Sequence, residues 1–101
     1  MTPEYNHSIP GSFEEAVDTL GPEWAAKSTG LVGYGFSGGV RAVEHWRQIL
    51  ANFHQHVVRS AVEVNLANNM EDGQLVPNDH INGVLNSLIE EVEASIKRYQ
   101  A

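Results

Sequence analysis

The 101-residue sequence contains no cysteine. That excludes a disulfide framework, a thiolate metal site and a cysteine nucleophile. Cations are scarce. Six Lys and Arg stand against thirteen Asp and Glu, for a formal charge of −7. A nucleic-acid binder carries excess cations to neutralise phosphates, so no nucleic-acid partner is expected. Long apolar runs are missing too. No stretch approaches the ~20 residues that span a bilayer, and the start, Met1-Thr2-Pro3-Glu4-Tyr5-Asn6, lacks the basic end and apolar core of a signal peptide. No membrane contact is expected, and the chain reads as soluble and cytoplasmic. There is no internal repeat and no low-complexity tract. What is present is 42% hydrophobic residues, enough to fold. A compact monomer of this size is one domain at most and would expose roughly 5,600 Å².

Punctuation by Pro3, Pro10 and Gly11 makes residues 2–11 a loop. The spacing predicts a first helix from Ser12, with Ser12 and Glu15 as a capping box, a stripe of Phe13, Ala16, Val17 and Leu20, and Gly21-Pro22 as the stop. Leu31 to Gly35 reads as a buried strand. It runs into Phe36-Ser37-Gly38-Gly39, which opens a second helix with Val40, Val43, Trp46, Leu50 and Phe53 at helical spacing. A second strand covers about Val57 to Leu66. Residues 67–78 are polar and read as a surface loop. A last helix spans about Asp79 to Tyr99, with Ile81, Val84, Leu85, Leu88, Val92, Ile96 and Tyr99 on one stripe. Strands that alternate with helices imply parallel pairing and an α/β layered fold. Two strands are few for such a sheet, so the chain reads as part of a larger domain.

The sharpest chemical signal is the strand, glycine loop and helix from Tyr34 to Arg41. Gly35, Gly38 and Gly39 allow close backbone approach and positive φ. The loop lies at the carboxyl end of a strand, where open α/β sheets bind ligands. Its spacing fits neither the dinucleotide fingerprint nor the phosphate-binding P-loop. Either a ligand loop or a tight turn would need these glycines. Thr2 to Ser8 is a second candidate, in which a rigid proline, an aromatic ring and several amides and hydroxyls could hold a flat heterocycle. An ordinary turn-rich tail has the same residues. His54-Gln55-His56 has the look of a metal pair, but imidazoles at a helix end commonly cap carbonyls. The cluster Glu90, Glu91 and Glu93 reads as a solvated helix face.

Taken together, Thr2-Pro3-Glu4-Tyr5-Asn6-His7-Ser8-Ile9-Pro10-Gly11, Ala16-Val17-Asp18, Glu23-Trp24 with Lys27, Val32-Gly33-Tyr34-Gly35 and Gly38-Gly39-Val40-Arg41-Ala42-Val43-Glu44 resemble the NADPH-dependent FMN reductase family. The resemblance covers residues 2 to about 66. It implies a flavodoxin-like fold, with FMN as cofactor and NAD(P)H as co-substrate. The implied chemistry is hydride transfer through bound flavin to a quinone, azo compound, metal ion or flavin. By the same resemblance Pro3, Glu4, Tyr5 and Asn6 contact the flavin ring from one loop, and Tyr34, Gly35, Ser37, Gly38 and Gly39 from the other, with no catalytic side chain and no metal. Phe13-Glu14-Glu15 stands where family members often have Leu-Lys-Asn. The expected architecture is a single partial domain over residues 1–101. It would hold the last two strands of the parallel sheet and three helices, with the N-terminal strands and the phosphate loop absent. The implied partners are a second copy or a full-length homologue. A non-enzymatic interaction or dimerisation remnant of the same fold is the alternative.

Overall fold

The computed structural model describes residues 1–99. Its elements are β1 (Thr2–Pro3), α1 (Gly11–Asp18), β2 (Ser28–Gly35), α2 (Val40–Asn52), β3 (His56–Asn65), a small hairpin of β4 (Met70–Glu71) and β5 (Gln74–Leu75), and α3 (Asp79–Tyr99). The main sheet is parallel, in the order β1-β2-β3. The layered α/β expectation holds, and a parallel sheet of three strands with three helices is consistent with a flavodoxin-like fold.

The strand count of two needs correcting. Thr2 pairs with Gly33 and Pro3 with Tyr34, so the start of the chain is a third strand and not loop. Pro3 has no N–H to give a ladder, and two residues carry no periodicity, so the segment reads as loop from sequence. Its anchors are tertiary. Thr2 is 3% exposed, and its hydroxyl accepts from the Trp46 indole N–H at 3.0 Å.

The two sheet faces are covered separately. Alternation along β2 sends Leu31 toward α2, where it packs with Val43, Trp46 and Leu50. Val32 and Tyr34 lie with the opposite cluster of Val62, Val64, Ile81 and Leu88 under α3. Gly33 admits α2 closely, since a Cβ there would lie 2.7 Å from the Val43 side chain. The bounds of α3 agree with the sequence spacing. Asn78 caps it, its side-chain oxygen accepting from the Ile81 N–H at 2.8 Å. Only Ile81 and Leu88 of its stripe are buried, however, while Leu85, Ile96 and Tyr99 remain more than a third exposed.

Three local readings change. The first helix starts at Gly11 after an extended Pro10, whose carbonyl takes the Phe13 and Glu14 N–H groups, so the Ser12–Glu15 capping box does not form. None of its residues is buried. The strand β2 begins three residues early, at Ser28. Ser28 and Thr29 satisfy their hydroxyls on Ser95 and Gln55 and pair with His56 and Val57. The polar loop 67–78 folds into the β4–β5 hairpin. Asp72 and Gly73 both take positive φ at its tip, as a two-residue Asp-Gly turn requires. Among the described residues no helix is long and apolar enough to cross a membrane.

Candidate functional site

The parallel register places the two candidate loops side by side. Because Pro3 sits opposite Tyr34, the chain leaves β1 and β2 at the same end of the sheet. Beyond Pro3, the Glu4 N–H donates to the Tyr34 carbonyl at 3.1 Å. The next four residues form a tight reversal. Tyr5 and Ser8 exchange backbone hydrogen bonds of 3.0 and 2.9 Å, with Asn6 and His7 at φ 52° and 64°. Both central residues in the left-handed region make this a type I′ turn. Asn tolerates that region well, and His is among the enriched non-glycine residues. The turn leaves Tyr5 59% exposed at the rim.

The second loop turns through Gly35 to Gly39. The Gly38 N–H donates to the Gly35 carbonyl at 3.1 Å, and the Leu66 N–H reaches the same oxygen at 2.9 Å. Phe36 and Ser37 face solvent, Phe36 being 79% exposed. Gly38 and Gly39 have φ of 82° and 70°. Their surroundings differ. A Cβ on Gly38 would meet nothing nearer than 3.7 Å, whereas one on Gly39 would lie 2.5 Å from the Tyr34 nitrogen and 2.6 Å from the Gly33 carbonyl carbon. The close approach that requires glycine at position 39 is therefore to the chain's own β2 backbone.

Three side chains, those of Thr2, Glu4 and Ser8, fasten the first segment to α2. The Trp46 indole bonds Thr2, the Glu4 carboxylate accepts from the Arg41 N–H at 2.9 Å, and Ser8 Oγ lies 2.7 Å from His45 Nδ1. Sequence reading did not find His45 or Trp46 as supports of this loop. Residues 2, 4 and 8 meet 46, 41 and 45 only through the fold, so no local spacing announces them.

The remaining candidates lie elsewhere. His54, at φ 59°, lies in the turn just past α2, and the His56 ring stacks on Tyr99 with centroids 3.7 Å apart. Glu91 is not simply solvated. It accepts from the Ser60 N–H at 3.1 Å, and Ser60, through hydroxyl and amide, holds its carboxyl below the usual carboxylate range, with a smaller contribution from Arg59. An apolar cavity of about 360 Å³ opens beside β2, between Phe13, Val17, Trp24, Leu31 and Trp46.

Residues 1–69 match the family described as NADPH-dependent FMN reductase. The chain belongs to that family. It is 31% identical over 58 residues to a Saccharomyces cerevisiae protein named NAD(P)H-dependent FMN reductase, a match covering 57% of this chain and 30% of the relative. It is 48% identical over 42 residues to a Nectria sp protein of the same descriptive name, covering 42% of this chain and 21% of the relative. The chain spans less than a third of either relative. FMN reductases are oxidoreductases that use FMN and a reduced nicotinamide, and both candidate loops fall inside the matched region.

Proposed function

We propose that this chain carries the ring-binding part of an FMN reductase flavin site and is the C-terminal half of such a domain. The observation that supports this reading is the convergence of the two loops on one end of the sheet, set by the pairing of Pro3 with Tyr34. The residues there suit the ring of FMN. Tyr5 and Phe36 offer exposed aromatic faces, and Ser37 adds an exposed hydroxyl. They do not suit its phosphate. Arg41, the cation beside the glycine loop, already lies 3.6 Å from the Glu4 carboxylate.

In this reading Pro3, Glu4, Tyr5 and Asn6 bound the ring on one side and Tyr34, Gly35, Ser37, Gly38 and Gly39 on the other. Bound FMN would supply the electron chemistry, taking hydride from NAD(P)H and passing electrons to a quinone, azo compound, metal ion or flavin. The chain's own residues orient the ring and hold it with backbone groups, and no side chain acts as nucleophile or base. The reading includes a cytoplasmic site of action and association with a second copy or a full-length homologue.

Fluorescence titration with FMN tests it. Each charge-assisted bond to phosphate contributes roughly 1.5–3 kcal/mol. The 101-residue chain is therefore expected to bind weakly alone and much more tightly when fused behind a phosphate-binding segment of a homologue. Stoichiometric FMN copurifying with the chain alone would contradict the half-site. No flavin binding by the fusion would contradict the flavin reading itself. The second reading is a non-enzymatic interaction module. It is favoured by the apolar cavity beside β2, whose lining includes none of the glycine-loop residues and, of Thr2 to Ser8, only Thr2. A fusion that folds yet binds no FMN, while the chain still captures a second copy or a full-length homologue, would select it.

A further inference from the structure

Glu4 does more than bound a ring. Its side chain is 7% exposed. One carboxylate oxygen accepts from the N–H groups of Arg41 at 2.9 Å and Ala42 at 3.4 Å, and the other lies 3.6 Å from the Arg41 guanidinium. Arg41 and Ala42 are the second and third residues of α2. Gly39, the residue that precedes the helix, offers no side chain to cap them. Such amides have no partner within a helix and attract anions, phosphate above all. In this chain a buried carboxylate from the first loop takes that place.

We propose that Glu4 determines the specificity of the two-loop site. Its carboxylate fills the anion seat at the start of α2, so that the loops accept a neutral ring edge and refuse a phosphate group. This rests on the flavin reading above for the identity of the ring. The exclusion of phosphate follows from the chain alone. A phosphate approaching Arg41 and Ala42 would have to displace a carboxylate that holds both amides, or lie against its charge at contact distance. The guanidinium of Arg41, half exposed, is partly neutralised by the same group. The contact also spans 37 residues of sequence, so one side chain both shuts the anion seat and fixes the spacing of the two loops.

The test uses the 101-residue chain with Glu4→Ala and Glu4→Gln, each titrated with inorganic phosphate and separately with riboflavin, which has the ring and no phosphate. Phosphate binding is read from amide shifts of Arg41 and Ala42 by NMR. The wild type is expected to show no saturable shift at millimolar phosphate. Glu4→Ala, with the seat open, should gain phosphate affinity by roughly tenfold or more. Glu4→Gln keeps a neutral acceptor in the seat and should fold as the wild type does. Lifting the charge alone should raise its phosphate affinity to a value between the other two. If Glu4→Ala does not fold, Glu4→Gln decides. Phosphate affinity equal to wild type in the folded variants overturns the proposal, as does saturable phosphate binding at Arg41 and Ala42 in the wild type. Riboflavin reports on the other reading. If no variant binds it, the flavin assignment fails, while the phosphate titrations still decide what Glu4 excludes.

Discussion

The two flanks of the sheet are finished in opposite ways. Along β3 the register slips, with Thr29 facing Val57 but Leu31 facing Ala61, so residues 58–60 bulge away from β2. Both covering helices send a charged side chain to the freed backbone. From α2, Arg47 donates to the Val58 and Arg59 carbonyls at 2.9 and 2.8 Å, and from α3, Glu91 accepts from the Ser60 N–H. Among the described residues the β1 flank has no such clamp. β1 pairs with Gly33 and Tyr34 only, so that among the described residues no strand lies beside Ser28 to Val32 on that side, and Thr29, Gly30 and Leu31 border the apolar cavity. The chain's surface of 6641 Å² exceeds by some 1,000 Å² that expected for a compact monomer of its mass. Side chains can replace ladder partners over three residues of a bulge. They are not a substitute for a whole strand, and an open edge beside apolar surface invites association.

The largest expected effect is on the open flank. The wild-type chain should self-associate at micromolar concentration, so that sedimentation gives at least a dimer mass. Phe13→Lys, placing a charge at the mouth of the cavity, should return much of it to monomer. A wild type that sediments as a sharp monomer with cooperative melting would mean the flank is closed as it stands. On the β3 flank, Arg47→Met removes both donors from the bulge while keeping the aliphatic stem. It should cost about 2–3 kcal/mol in denaturant unfolding, since two backbone carbonyls lose a charged partner. A loss within experimental error would show that water serves the bulge equally well.

Smaller still is Trp46→Phe, which deletes the indole bond to Thr2 and leaves a buried hydroxyl with one partner fewer. A loss of about 1 kcal/mol is expected. An unchanged midpoint would mean that β1 is held by its ladder alone. The smallest effect is a pH dependence. The Glu91 carboxyl has its pKa lowered in the folded state, so its stabilising contribution is present above the ordinary carboxylate range and is lost as pH falls through the lowered value. Glu91→Gln should flatten that part of the acid limb without altering stability near pH 2. An acid limb of unchanged slope would remove Glu91 from the account.

How much was legible in the sequence divides along the same line. The helix α3, with its apolar spacing and Asp79 start, could be read to the residue, because a long amphipathic stripe is local information. Both candidate loops were recognisable from their residue types. Their adjacency was implied by family resemblance, and only the pairing of Pro3 with Tyr34 accounts for it. The strand at Thr2–Pro3, the polar start of β2 and the bulge clamp of Arg47 and Glu91 were not visible. Each depends on partners far along the chain, and polar residues in strands leave no alternation to detect. The β4–β5 hairpin was visible in principle. Asp72-Gly73 is a strong turn signal, and the polar residues around it masked the strands.

Gly39 bears on how sequence signatures persist. A side chain there would collide with the chain's own strand, so selection for folding alone keeps the glycine, whether or not any descendant retains a cofactor. Phe36 and Ser37, exposed and free of such constraint, can drift as soon as a ligand no longer matters. Within one short loop, then, the glycine that makes a motif easy to find reports on shape, and under the proposed flavin reading it is the exposed neighbours that would report on the ligand.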